Sequence, residues 1–130
     1  VNLPPEINRR IVATQEGSAT LRFSIENAFP NVTMSNSRWF YSANFTSTLF
    51  NPYSDIQEIT NLPNRTSKSL LTFTFNFDEA TLTISDIVQA RAEGEETDQG
   101  RYFFQATNEA GSDNDYIDII VEGLCVLYLL

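Results

Sequence analysis

Asp98-Gln99-Gly100-Arg101-Tyr102-Phe103-Phe104 is the stretch on which the reading of this chain turns. Side chains of a strand alternate between its two faces, so Tyr102 and Phe104 share one face while Arg101, Phe103 and Gln105 share the other. The same alternation recurs elsewhere. Leu21, Phe23 and Ile25 form one apolar row, Trp39 and Tyr41 a second, Leu82 and Ile84 a third. Rows of this kind, bounded by turn residues, are what half-buried strands look like in sequence.

Composition agrees. At 130 residues the chain is expected to be one domain with a real core, and its 42% hydrophobic content with 10 Phe and 5 Tyr argues against disorder. Helix-period apolar patterns are scarce, and short runs of Thr, Phe, Ile and Val dominate. An all-β sandwich is therefore expected from pattern alone. The net charge of −9 argues against electrostatic binding to nucleic acid or to an anionic membrane. Glu93, Glu95, Glu96 and Asp98 crowd one loop, and Asp113 and Asp115 another.

The ordered motifs resemble those of immunoglobulin domains. Asp98 to Phe104 is similar to the Asp-x-Gly-x-Tyr-x-Cys run that begins strand F, with Phe104 in place of the cysteine. Glu16-Gly17-Ser18-Ala19-Thr20-Leu21-Arg22-Phe23 resembles the approach to strand B, again with Phe for Cys. Trp39 sits where the family keeps its strand C tryptophan. Leu82-Thr83-Ile84 and Ala106-Thr107-Asn108-Glu109-Ala110-Gly111 match the strand E and strand F–G patterns. The resemblance covers most of residues 15–121 and implies an immunoglobulin-like β-sandwich without its inter-sheet disulfide. It places Phe23 and Phe104 together between the sheets beside Trp39. A native disulfide contributes about 2–5 kcal/mol in small domains. Two buried rings plus an aromatic pairing of about 0.5–1.5 kcal/mol are a sufficient replacement. The resemblance also gives Tyr102 a corner hydrogen bond near Asp98, and gives Asp98 a basic partner in Arg65 or Lys68.

Strands are expected near 11–13, 18–26 (B), 37–42 (C), 46–50 (C′), 53–60 (C″), 68–76 (D), 80–86 (E), 100–107 (F) and 115–122 (G). The spacing from Phe23 and Trp39 to Phe104 leaves room for C′ and C″, as in a V-set domain of about nine strands, although the strand F ending is I-like. The domain is expected to span residues 1–122. Residues 123–130 form an apolar tail, too short for the ~20 residues of a membrane-spanning helix, read as a linker or the start of a following domain. No leader sequence is visible, so the chain is expected to begin at a mature boundary.

Cys125 is the only cysteine, so no internal disulfide is possible, which by itself points to a reducing compartment. Three N-glycosylation sequons, at Asn31, Asn44 and Asn64, point instead to the secretory pathway and are given more weight. The expected setting is the ectodomain of a cell-surface protein, touching membrane only through the rest of its parent.

Function is expected on the sheet that carries strands C, F and G. Its outward residues Phe40, Phe103, Gln105, Tyr116 and Ile120 form a candidate interface, because aromatic clusters mark interface cores. The competing reading is that a neighbouring segment or a glycan covers these rings. Enzymatic activity is not expected: there is no His, and no Ser, Lys or Cys has a base beside it. No cofactor or metal is expected. Asp113-Asn114-Asp115 and the acidic 93–98 run offer oxygen ligands but no EF-hand spacing, and read as solvated charge.

A V-type domain with I-like motifs, no signature cysteines and several sequons resembles the membrane-distal domains of hydroid allorecognition receptors. That resemblance implies homophilic binding in trans, with the same domain on an opposing cell as partner. The alternatives are a heterophilic receptor or adhesion domain, and a disulfide-free structural domain of an intracellular filament protein.

Overall fold

The computed structural model describes residues 9–14, 16–25, 31–46, 48, 56–59, 71–76, 78–88 and 97–122. Among them are eight strands: β1 (Arg10–Thr14), β2 (Ala19–Ser24), β3 (Ser37–Ser42), β4 (Gln57–Ile59), β5 (Leu71–Phe75), β6 (Glu79–Ile84), β7 (Gly100–Asn108) and β8 (Gly111–Glu122). A 3-10 turn, Met34–Asn36, leads into β3. The strands form a five-stranded sheet in the order β1-β8-β7-β3-β4 and a three-stranded sheet in the order β2-β6-β5. All pairs are antiparallel except β1 with β8, which runs parallel.

Alternation builds the core between these sheets. Leu21, Phe23, Leu82, Ile84, Tyr102, Phe104 and Ile119 are fully buried there. Phe23 stacks on Phe104 with ring centroids 5.5 Å apart, Trp39 meets Phe104 at 4.8 Å, and Phe23 meets Trp39 edge-on at 5.5 Å. Phe73 of β5 extends the cluster, 6.0 Å from Trp39. These rings stand where a covalent bridge between the sheets would otherwise lie.

Local hydrogen bonds fix the connections. The Asn76 side chain accepts from the backbone N–H groups of Asp78 and Glu79, closing the β5–β6 hairpin. The Tyr102 hydroxyl donates to the Asp98 carbonyl at 2.6 Å. Asp98, fully buried, accepts from the Val88 N–H through its carboxylate at 2.7 Å, and its own N–H donates to the Val88 carbonyl at 2.9 Å. The two ends of the long β6–β7 connection are thereby tied together. Gly100 is required by close approach, since a Cβ there would lie 2.4 Å from the Ser42 carbonyl oxygen and 2.7 Å from the Tyr41 ring.

Three expectations change. The strand beside β3 is Gln57–Ile59, which pairs Trp39 with Ile59, so the neighbour of strand C comes from the span expected to be C″. Thr46, where the expected C′ strand begins, closes a turn with Asn44 instead, because the Asn44 carboxamide accepts from both the N–H and the hydroxyl of Thr46. Residues 47, 49 and 50 of that strand lie outside the described residues. Strand G is also longer than expected, starting at Gly111, because the β7–β8 hairpin pairs without interruption from Asn108–Gly111 to Gly100–Ile119. Arg65, Lys68, Asn64, Cys125 and the 123–130 tail lie outside the described residues.

Candidate protein-docking face

The outward side chains of the five-stranded sheet are set by the register of β3, β7 and β8. Phe40, Phe103 and Tyr116 lie in one row across three strands, with Glu58 beyond Phe40 on β4. The next row carries Ser42, Arg101, Asp118 and Arg10. On the other side of the aromatic row stand Arg38, Gln105 and Asn114.

The expected interface residues are brought onto this face, but not as an open aromatic patch. Phe40, Gln105, Tyr116 and Ile120 are half-buried. Phe103 is only 2% exposed, although it is no part of the core cluster between the sheets. Its alternation parity is the expected one; its accessibility is not. Phe103 has Phe40 on one flank and Tyr116 on the other, the Tyr116 ring meeting it edge-on at 6.3 Å. A ring so enclosed supports the surface rather than forming it.

Charged groups lock that row. The Arg101 guanidinium lies 3.7 Å from the centroid of the Tyr116 ring and donates to both carboxylate oxygens of Asp118, at 2.8 and 3.1 Å. Side-chain exposure is only 14% for Arg101 and 8% for Asp118, so this bidentate pair works in a partly dry setting, where it is stronger than a solvated one. Arg9 also approaches Tyr116, at 5.1 Å, and reaches Asp115 at 3.6 Å.

Asp115 is the anomaly. It is 3% exposed, one oxygen accepts the Tyr116 N–H at 2.7 Å, and the other is buried with no hydrogen-bond partner. Burial pushes its carboxyl above the ordinary range, outweighing the Tyr116 N–H and the Arg9 charge that favour ionisation. Among the described residues no cluster of acidic, His or Cys side chains could hold a metal ion. Asp113, the other acidic residue of that motif, is exposed.

Sequence reasoning missed the Arg101–Asp118 and Arg9–Asp115 pairs, which depend on how β8 lies against β7 and against the start of β1, and no local signal carries that. The rings of Phe23, Trp39, Tyr102 and Phe104 and the carboxylate of Asp98 lie in the core or at the β6–β7 connection, away from this face. Of the sequon residues, Asn31 and Asn44 are exposed.

The opposite sheet turns a different surface outward. Arg22 pairs with Glu79 at 3.0 Å, and the hydroxyls of Thr20 and Thr83, and of Thr74 and Thr81, meet across strands. Among the described residues it is a threonine-rich, polar face with no aromatic row.

Two sheets packed on a ring cluster, a parallel first strand added beside the last, and a corner tyrosine bonded to the preceding loop decide the fold. It is an immunoglobulin-like β-sandwich. Solved structures of titin domains are similar to it. The titin M4 domain matches with a TM-score of 0.59 at 17% identity, over 87% of this chain and 88% of that one. A complex of titin M10 with an obscurin-like 1 Ig domain matches at 0.58 and 15% identity, over 90% and 89%. Titin Z1Z2 in complex with telethonin matches at 0.58 and 23% identity, over 87% of this chain and 43% of that one. No family model and no curated protein sequence matches the chain.

Proposed function

We propose that this chain is a binding domain, not a catalyst, and that it docks another protein on the outer face of its five-stranded sheet. The observation that carries the reading is the pre-organised row Phe40–Phe103–Tyr116. Its central ring is buried, and its outer ring is held by Arg101 against Asp118. Interfaces draw affinity from aromatic and arginine anchors that lose little freedom on binding. Phe40 and Gln105, half-buried between this support and the exposed Arg38, are the side chains a partner would meet.

The setting that the comparisons support is a structural domain of a filament protein. The similar titin domains are named in complexes with telethonin and with an obscurin-like 1 Ig domain, so domains of this fold use protein partners. A core closed by rings instead of a disulfide suits a reducing compartment.

A second reading, homophilic recognition in trans at a cell surface by a V-like domain, is favoured by a separate observation. Asn31 and Asn44 are exposed, and Asn44 sits in a turn that presents its carboxamide beside the Thr46 hydroxyl of the same sequon. One experiment separates the settings. The chain is expressed behind a heterologous leader in animal cells and its mass compared before and after N-glycosidase treatment. Secretion with a mass loss that Asn44→Gln reduces supports the cell-surface reading; retention as an unglycosylated chain supports the filament reading. Docking itself is tested by calorimetry with a partner found by proximity labelling. Phe40→Asp is expected to abolish that binding while Arg22→Glu, on the other sheet, leaves it unchanged; equal loss in both would overturn the assigned face.

A further inference from the structure

We infer that two copies of this chain associate edge to edge, by antiparallel pairing of β1 with the β1 of a second copy. The inference rests on the edge of the sheet and not on the face around Phe40, so the two stand or fall separately.

Strand β1 is the outermost strand of its sheet, hydrogen-bonded to β8 on one side, and among the described residues no strand pairs with its other side. An open strand edge is a template for another strand, and natural edges are protected by charge, proline or a bulge along their length. Residues 10–14, Arg-Ile-Val-Ala-Thr, contain no proline, and the central position is Val12, at 58% the more exposed of the two large exposed apolar residues described. The charge is confined to the ends. Exposed Arg10 opens the strand, while exposed Glu122 is paired with Thr14 at its close and exposed Glu16 follows in the turn.

That distribution complements itself under twofold symmetry, which is how most homodimers are built. Antiparallel pairing centred on Val12 sets Val12 against Val12, Ile11 against Ala13 and Arg10 against Thr14. Each Arg10 then lies two strand spacings, about 10 Å between Cα atoms, from Glu122 of the other copy, within reach of the two extended side chains. Arg10, Val12, Thr14 and Glu122 share the outer side of the sheet, since Ile11, Ala13 and Val121 belong to the core side. Parallel pairing of the two edges would instead place Arg10 against Arg10 and Glu16 against Glu16. The charge pattern thus selects one orientation. Long-range repulsion between two chains of charge −9 is screened beyond about 8 Å at physiological salt, so the local pairs set the geometry.

The test is sedimentation equilibrium of the chain from about 1 µM to about 1 mM at physiological salt, spanning weak to moderate affinities. A monomer–dimer equilibrium is expected. Val12→Lys, at an exposed position, is expected to weaken the dimer at least about tenfold by setting like charges across the twofold axis. Arg10→Glu is expected to weaken it too, and adding Glu122→Arg to Arg10→Glu to restore it. Thermal melts of each variant show whether the fold is intact, and Phe40→Asp is expected to leave the dimer unchanged. A monomer throughout, a dimer indifferent to Val12→Lys, or one lost with Phe40→Asp instead would each overturn the inference.

Discussion

Among the described residues two aromatic clusters stand out, and they solve different problems. Between the sheets, Phe23, Trp39 and Phe104 pack ring against ring with no charged group among them. On the outer face, Phe40, Phe103 and Tyr116 make a row of similar residues, yet there a guanidinium and a carboxylate complete the packing. The inner cluster gains from water exclusion on every side. The outer row has solvent on one side, and Arg101 lays its planar group over Tyr116 while its charge is met by Asp118. The comparison teaches that an outward aromatic is not thereby a contact surface: Phe103 is as dry as a core residue because its neighbours enclose it.

The sharpest way to break the comparison is at the inner cluster. Phe104→Ala is expected to cost about 3–5 kcal/mol by leaving a cavity beside Phe23 and Trp39, measured by urea unfolding. Phe103→Arg is expected to come next, at about 2–4 kcal/mol, because it forces a charge into an enclosed site. Tolerance of that variant, which alternation alone would predict, would mean that the outer row opens easily. Arg101→Ala is expected to cost about 1–3 kcal/mol by leaving Asp118 buried without its donor and Tyr116 without its cover. Arg101→Lys should recover only part, since one ammonium cannot donate to both oxygens and stack on the ring.

The smallest effect carries the opposite sign. Burial raises the folded-state pKa of Asp115, so its protonated form is favoured in the fold. The resulting stabilisation is fully present below the unfolded-state value, near 3.8, and is lost as pH rises through the folded value. At neutral pH the ionised carboxylate is therefore a net cost, and Asp115→Asn is expected to stabilise the domain by about 1 kcal/mol. The gain should shrink as pH falls toward the carboxylate range, which paired melts at pH 7 and pH 4 would check. A loss at pH 7 would mean that Arg9 compensates Asp115 more fully than burial penalises it.

Much of the fold was legible because its determinants are local. Alternation in residues 21–25, 39–41, 82–84 and 102–104 places the core faces, and the ring cluster of Phe23, Trp39 and Phe104 follows once two sheets are supposed. The strand beside β3 falls in the span expected to be C″, because Gln57-Glu58-Ile59 carries a single apolar residue and only tertiary pairing places it next to Trp39. The turn at Asn44 did have a local signal, an Asn whose side chain can cap the residue two positions on. The outer face of the five-stranded sheet was half legible. Parity placed Phe40, Phe103, Gln105 and Tyr116 on it, but the enclosure of Phe103 and the Arg101–Asp118 clamp come from side chains 17 positions apart in sequence. Nothing near either residue announces the other.

The reciprocal bonds between Val88 and Asp98 give the molecule a natural grafting point. Because Val88 and Asp98 meet as a hydrogen-bonded neck, added length between those residues is felt mainly as chain entropy. Each doubling costs only about 0.6 kcal/mol. The neck offers an engineer a port for a foreign peptide that leaves both sheets as they are.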